Sequence, residues 1–455
     1  MNLSRVVRAL LLMGLVLVAG CGLLAKQQVS NKPISKVNSA NAKVEHRVDE
    51  LMAKMTLEEK ISLLTGSSGS TAPGIARLGL PVLKMSDGPV GTRLDGQSTA
   101  YPSTIALAAT WNGDLAERFG DAMGRDGRAR GDHFILGPAM NIYRAPVCGR
   151  NSEYLGEDPY LAGMMAGGII RGIQSQGVVA TLKHFAVNNQ EFHRRTVSAE
   201  VDERTLREIY LRGFHIAIET GHPWAVMCAY NKINGIYCSA NRWLLTTVLK
   251  DEWGFNGMVM SDWNATHDTL GPANAGLDLE MPGRKWFTPD KLMTLIQSGK
   301  ISKATIDDKV RRILRVEVAM GFLDRPQKDA NIPLDDPSSR KIALEIAQQG
   351  IVLLRNENHL LPLEKSRIKT IAVIGPNADP AVTGIGGSSY VRPFDPVSEL
   401  AGIEKEAGQS IQVYYIPANS KTLFDDLIKN SVYVSADDSK EGLKEEFFGN
   451  RDLSG

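Results

Sequence analysis

Apolar residues recur along this chain in short runs at 82–85, 105–109, 134–142, 178–182, 225–229, 258–260 and 277–281. Between most of them lie stretches of helical periodicity, at 114–130, 159–176, 203–220, 242–252 and 289–297. Runs of this length suit buried strands, and strand alternating with helix predicts a parallel (β/α)8 barrel of the TIM type. A doubly wound open sheet is the alternative fold. Its nucleotide-binding form has little support, because no GxGxxG follows an early strand and no GxxxxGK[ST] occurs. Folded structure is expected to begin near Val48, and Thr56-Leu-Glu-Glu59 reads as a capping box at a helix start. Val310, Ile313, Leu314, Val316 and Met320 fall at helical spacing and predict a closing helix over 306–322, so the barrel domain is placed at 46–324.

A change of pattern comes next. Pro326, Pro333 and Pro337 with few apolar neighbours mark 325–340 as a linker. Beyond it, an apolar segment at 343–353, strands at 369–374 and 411–416 and a helix at 423–428 predict a partial α/β sandwich domain over 341–440. Two strands are too few to complete such a sheet.

Composition narrows the function. With 43% hydrophobic and 23% charged residues the chain is an ordinary globular protein, and its formal net charge of +1 argues against nucleic acid as a partner. Cys21, Cys148, Cys228 and Cys238 lack the spacing of a disulfide framework or a zinc site, although a turn at 231–235 leaves a Cys228–Cys238 pair open. Residues 1–20 read as a signal peptide: Arg5 and Arg8 precede an apolar stretch at 9–19 that is too short to span a membrane. Leu17-Val-Ala-Gly-Cys21 resembles a bacterial lipoprotein signal, which implies lipidation of Cys21, a polar tether over 21–45 and a membrane partner through the lipid anchor. Gly22, in place of the Asp associated with inner-membrane retention, favours the outer membrane or periplasmic face of the cell envelope. A plain signal peptide with an incidental cysteine is the alternative.

In a barrel of this kind chemistry sits where strands end. The run at 258–260 ends on Ser261, Asp262 and Trp263, and Asp262 is either the cap of a following helix or a nucleophile. The other runs end on polar residues as well: Asp87 in a Gly-Pro loop, Arg150 after the third run, Lys183 and His184 after the fourth, Tyr230 after the fifth. Asp87 could be a turn residue, and Arg150 only an ion-pair partner of Glu153 or Glu157. Carboxylates, a planar guanidinium and an indole ring converging on one face suit a sugar, whose vicinal hydroxyls take hydrogen bonds and whose apolar face stacks on an aromatic ring. No metal or organic cofactor is implied. A glycosidase needs a second group to protonate the leaving oxygen. Glu157 and Asp158 precede a helix, and Glu191 and Glu280 are unassigned.

Four motifs, Lys84-Met-Ser-Asp-Gly-Pro-Val-Gly-Thr-Arg93, Gly149-Arg-Asn-Ser-Glu-Tyr-Leu-Gly-Glu-Asp-Pro159, Lys183-His-Phe-Ala-Val-Asn-Asn-Gln-Glu191 and Val259-Met-Ser-Asp-Trp263, together resemble glycoside hydrolase family three, the β-glucosidase and β-xylosidase group. The resemblance continues through Gln349-Gly-Ile-Val-Leu-Leu-Arg355 and Ile371-Ala-Val-Ile-Gly-Pro376. It implies a retaining hydrolase of terminal β-D-glucosyl or β-xylosyl residues with Asp262 as nucleophile. It further implies that Asp87, Arg150, Lys183, His184 and Tyr230 hold the sugar and that Met227 and Trp263 line the site, with a β-linked oligosaccharide or glycoside as substrate. Ala-Val-Asn-Asn after Phe185 differs from the family's N-acetylglucosaminidase branch. Family members carry the acid/base on the second domain, and 441–455 resembles the opening of a PA14 insert, so the expectation is a fragment of impaired activity. The rival readings are a non-catalytic sugar-binding lipoprotein and, more remotely, a barrel aldolase using Lys183 as a Schiff base.

Overall fold

The computed structural model describes residues 39–94, 96–384 and 386–417. The described residues from Val44 onward form one compact unit, the larger of two. In chain order the strands of the larger unit are β1 (Thr71–Ala72), β2 (Leu83–Asp87), β3 (Phe134–Leu136), β4 (Val179–Phe185), β5 (Ser198–Ala199), β6 (Ala225–Cys228), β7 (Lys232–Ile233), β8 (Ile236–Tyr237), β9 (Met258–Ser261), β10 (Thr370–Ile374) and β11 (Gln412–Ile416).

The sheet that carries the site runs β1-β2-β3-β4-β6-β9. Its members are parallel except β1, which is antiparallel to β2. Past β9 the ring continues through single pairings, Met260 with Leu279 and Thr65 with Glu280, and Ser68 pairs with Thr71 of β1. The Gly66 and Glu280 amides donate to Glu280 and Leu64 carbonyls, each at 2.9 Å. The domain is therefore TIM-barrel-like, with two of its staves reduced to isolated bridges. Every residue of β3, β4, β6 and β9 is buried, as expected for parallel strands covered on both faces.

The outer layer agrees closely with the predicted helices. Gly113–Arg130, Pro159–Ser175, Arg212–Gly221, Pro289–Gln297 and Lys303–Ala319 are helical. The first two approach so closely that a Cβ on Gly172 would stand 2.0 Å from the Glu117 carbonyl oxygen. The capping box at Thr56 and Glu59 forms. The helix Ser39–Lys54 begins ahead of Val48 and overlaps the end of the expected tether.

Three apolar runs fold differently from the expectation. The run at 105–109 lies in a helix, Thr104–Ala108, which buries Thr104, Leu107 and Ala108 and leaves Ile105 exposed. An Ala-containing run of five residues has no period by which to separate strand from helix. The strand in 134–142 stops at Leu136, before Gly137-Pro138, because proline has no amide to donate to a ladder. The run at 277–281 is one of the single-bridge staves.

The linker is fastened to the barrel. Gln327 Nε2 donates to the Asp132 carbonyl at 2.7 Å, Arg325 to that of Gly177 at 2.9 Å, and Arg125 pairs with Asp336 at 2.6 Å. Asp336 then caps the helix Pro337–Gly350, whose Ser339 hydroxyl donates to buried Asp126 at 2.9 Å. In the second domain β10 and β11 pair in parallel, with the helix Glu399–Ala407 between them in the chain. Residues 351–354 are exposed, Leu354 by 92%. The expected helix at 423–428, the PA14-like segment and the signal peptide lie outside the described residues.

Cys228 and Cys238 are separate buried thiols, not a disulfide. The Cys238 sulfur is directed at the Ala186 carbonyl, 3.5 Å away, and burial pushes its thiol pKa up to about 12. Among the described residues no helix is long and apolar enough to cross a membrane, and no group of His, Cys, Asp and Glu is arranged to hold a metal ion.

Candidate active site

The C-terminal ends of β2, β4, β6 and β9 converge on a cavity of about 450 Å3. All eight residues singled out in the sequence line it: Asp87, Arg150, Lys183, His184, Met227, Tyr230, Asp262 and Trp263. Cys21 lies outside the described residues.

Asp262 comes directly after β9. No helix starts there; the next one, Leu270–Ala275, has Thr269 at its N-terminal boundary, so Asp262 is not a helix cap. Its Oδ1 accepts the Trp263 amide at 2.7 Å, while Oδ2 has no hydrogen-bond partner among the described residues. Burial raises its pKa, and Arg150, Lys183, the Trp263 amide and the Tyr230 hydroxyl pull it back in part. The result is a carboxylate with one oxygen fixed and the other free.

Lys183 is buried and places Nζ 3.1 Å from Asp87 Oδ1, with Arg93 3.7 Å from Oδ2. His184 is held neutral: burial, then Arg150, Lys183 and Arg194, depress its pKa well below the usual imidazole value. Its Nε2 lies 3.0 Å from the Arg150 guanidinium, which can only donate, so Nε2 accepts and the proton sits on Nδ1. The 3.6 Å approach of Nε2 to Asp262 is accordingly not an ion pair. Burial opposes the charge of Arg150, but Tyr154 and the carboxylates Glu153, Asp262 and Glu191 outweigh it and raise its pKa. Tyr230 lies beneath the guanidinium groups of Arg194 and Arg195, at 4.8 and 5.2 Å from its ring centre. The Trp263 indole is fixed by a 2.9 Å bond from Nε1 to the Gly69 carbonyl.

Sequence reasoning missed the lining residues Arg93, Arg194 and Ser388, left Glu191 unassigned, and had Glu153 only as a possible ion-pair partner of Arg150, a pairing that forms. Arg93, Glu153 and Glu191 stand inside the very motifs that pointed to the site. Ser388 comes from the second domain, whose 386–389 segment closes one wall: Arg93 donates to the Gly387 carbonyl and Ser152 bonds Ser389 at 3.0 Å. The other acidic residues are structural. Asp158 caps the helix Pro159–Ser175, Glu157 is exposed, and Glu280 accepts the amides of Trp286 and Phe287 at 2.9 and 2.7 Å.

Residues 45–316 match the Glycosyl hydrolase family 3 N terminal domain and residues 351–446 the family's C-terminal domain. The chain belongs to glycosyl hydrolase family 3. Within the family it is 45% identical over 362 residues to a β-glucosidase of Rhizobium radiobacter, covering 78% of this chain and 44% of that protein. It is 43% identical over 380 residues to the thermostable β-glucosidase B of Acetivibrio thermocellus, covering 81% and 50%. The chain thus spans about half the length of these family 3 relatives. Among solved family structures, β-glucosidase 3B of Thermotoga neapolitana in complex with α-D-glucose superposes with a TM-score of 0.76 at 38% identity, over 87% of this chain and 59% of that one. The β-D-glucoside glucohydrolase of Trichoderma reesei gives 0.78 at 32% identity, over 86% and 59%.

Proposed function

We propose that this chain carries the sugar-binding face and the nucleophile of a retaining β-glucosidase acting on terminal non-reducing β-D-glucosyl residues, with β-xylosyl residues as the neighbouring substrate class. The observation that carries the reading is the unpartnered Oδ2 of Asp262 at the cavity wall, its twin oxygen held by the Trp263 amide. Oδ2 attacks the anomeric carbon, the bond to the aglycone oxygen breaks with its electron pair, and a glycosyl ester of Asp262 forms. Water then attacks the same carbon, gives up one proton to the solvent, and releases the sugar and the carboxylate. Arg150 and Lys183 favour the ionised form of Asp262 against burial. Asp87, Lys183, Arg150 and neutral His184 offer donors and acceptors to the sugar hydroxyls, and Trp263 and Met227 offer it an apolar wall. The β-glucosidase relatives, and the glucose in the Thermotoga neapolitana complex, support the gluco configuration.

Among the described residues no carboxylate at the cavity besides Asp262 stands unpaired with a cation as a ready donor to the leaving group. Of the other carboxylates at the cavity, Asp87 is paired with Lys183, Glu153 with Arg150, and Glu191 with Arg194 at 2.5 Å. Turnover of alkyl glucosides is therefore expected to be impaired, whereas a dinitrophenyl leaving group needs no proton. The test is incubation with 2,4-dinitrophenyl 2-deoxy-2-fluoro-β-D-glucopyranoside followed by peptide mass mapping. A glycosyl adduct on Asp262, absent from Asp262→Asn, supports the reading; reversible binding without an adduct makes the chain a non-catalytic sugar binder. We also propose that Cys21 is acylated and holds the protein at the cell envelope. Radiolabelled palmitate incorporated by the natural sequence but not by Cys21→Ser supports this, and equal labelling overturns it.

A further inference from the structure

We propose that Glu153 is a positioning residue: its buried carboxylate ties the second domain's Ser388 to Arg150 and so sets the guanidinium against the sugar site. This rests on the reading of the cavity as a glycoside site. Glu153 is 2% exposed, and both of its oxygens are committed. Oε1 accepts from Arg150 Nε, and Oε2 accepts from the Ser388 hydroxyl at 2.6 Å. The same Arg150 reaches the Ser388 oxygen at 3.5 Å and His184 Nε2 at 3.0 Å. Glu153, Arg150 and Ser388 therefore form a closed triangle whose corners come from two domains.

Stability alone is a poor account of this arrangement. A buried ion pair does little for stability, since desolvation offsets most of the attraction. What it does supply is direction, because the guanidinium is planar and its fork is aimed by whichever carboxylate holds Nε. A competing acceptor stands close by: Glu191 Oε1 is 3.9 Å from the same Nε and has no hydrogen-bond partner among the described residues. Without the Glu153 charge, Arg150 turns toward Glu191 and away from its place between His184 and Ser388. Ser388 then loses the acceptor that draws the 386–389 wall inward.

The test compares the unaltered chain, Glu153→Gln, Glu153→Asp, Ser388→Ala and the double variant Glu153→Gln/Ser388→Ala. The readouts are calorimetric affinity for the glucose-configured iminosugar 1-deoxynojirimycin, the rate of inactivation by the fluoroglucoside, and thermal midpoint. Glu153→Gln is expected to weaken affinity about tenfold, the scale of one charge-assisted hydrogen bond, and Ser388→Ala several-fold. The double variant should be no worse than Glu153→Gln, because one triangle is broken only once, and Glu153→Asp should recover part of the loss. Should Glu153→Gln fail to fold, Ser388→Ala opens the triangle from its solvent side and carries the same expectation. Affinity within twofold of the unaltered chain in either single variant, or losses that multiply in the double variant, would overturn the proposal. Absence of an Asp262 adduct in the unaltered chain would instead count against the glycosidase reading, and the iminosugar affinities would still report on Glu153.

Discussion

Glu317 offers a quantitative test of the fold. It lies on the helix Lys303–Ala319, is 1% exposed, and neither carboxylate oxygen has a hydrogen-bond partner among the described residues. Burial alone pushes its pKa up to about 8 from 4.5. The folded state therefore keeps a proton that the unfolded chain gives up, so its stability is greatest below pH 4.5 and is lost as pH rises through 8. At about 1.4 kcal/mol per pKa unit, the stability of the natural chain falls by roughly 3–4 kcal/mol between about pH 5 and pH 8 from this group alone. Glu317→Gln removes the titration and keeps the shape. Urea unfolding of the two proteins across this range should show a stability difference that grows in favour of the variant by that amount, other titrating groups cancelling in the comparison. A difference that stays constant with pH would refute the assignment of Glu317 as a buried neutral acid.

Further outcomes are expected at the site and in the second domain. Asp87→Asn strips buried Lys183 of its carboxylate and should cost about 3 kcal/mol of unfolding free energy, toward the low end for a broken buried pair because Asp87 keeps some water, and abolish iminosugar binding; unchanged stability would contradict the pairing. Nitrogen NMR of His184 should show a neutral ring protonated on Nδ1 at pH 5, where burial and three neighbouring cations keep it uncharged. A doubly protonated ring there would overturn the tautomer. Ile351→Ser with Leu354→Ser should reduce anilinonaphthalene sulfonate fluorescence without lowering the urea midpoint, since both side chains are already in water.

What the sequence disclosed depends on the kind of pattern each element leaves. The runs at 178–182, 225–229 and 258–260 are strands buried on both faces, and such strands show as contiguous apolar residues with an abrupt polar end. Their ends therefore pointed to Lys183, His184, Tyr230 and Asp262 directly. The stave at 277–281 did show as an apolar run, whereas the one near Thr65 was not legible, because it joins the ring through an isolated backbone bridge that asks nothing of side-chain order. Ser388 was not legible for another reason. It meets Glu153 across 235 positions of sequence, in a segment whose glycines and serines carry no periodicity. Glu191 and Arg194 lie past the end of β4, on loop backbone that no apolar run places.

The missed residues change the electrostatic account of the site. The eight foreseen residues leave Asp87 and Asp262 facing Arg150 and Lys183, which makes Asp262 look readily ionised. With Glu153, Glu191, Arg93 and Arg194 included, the cavity holds four carboxylates and four cations beside a neutral His184. No net charge is then left over to attract an ionic ligand, and selectivity must come from the placement of donors and acceptors. The pKa of Asp262 rises despite two cations because burial outweighs Arg150, Lys183, the Trp263 amide and the Tyr230 hydroxyl, while Glu153 and Glu191 also face Arg150. The ionisation of Asp262, the proposed nucleophile, therefore depends on where Arg150 points, and so on the carboxylate that aims it.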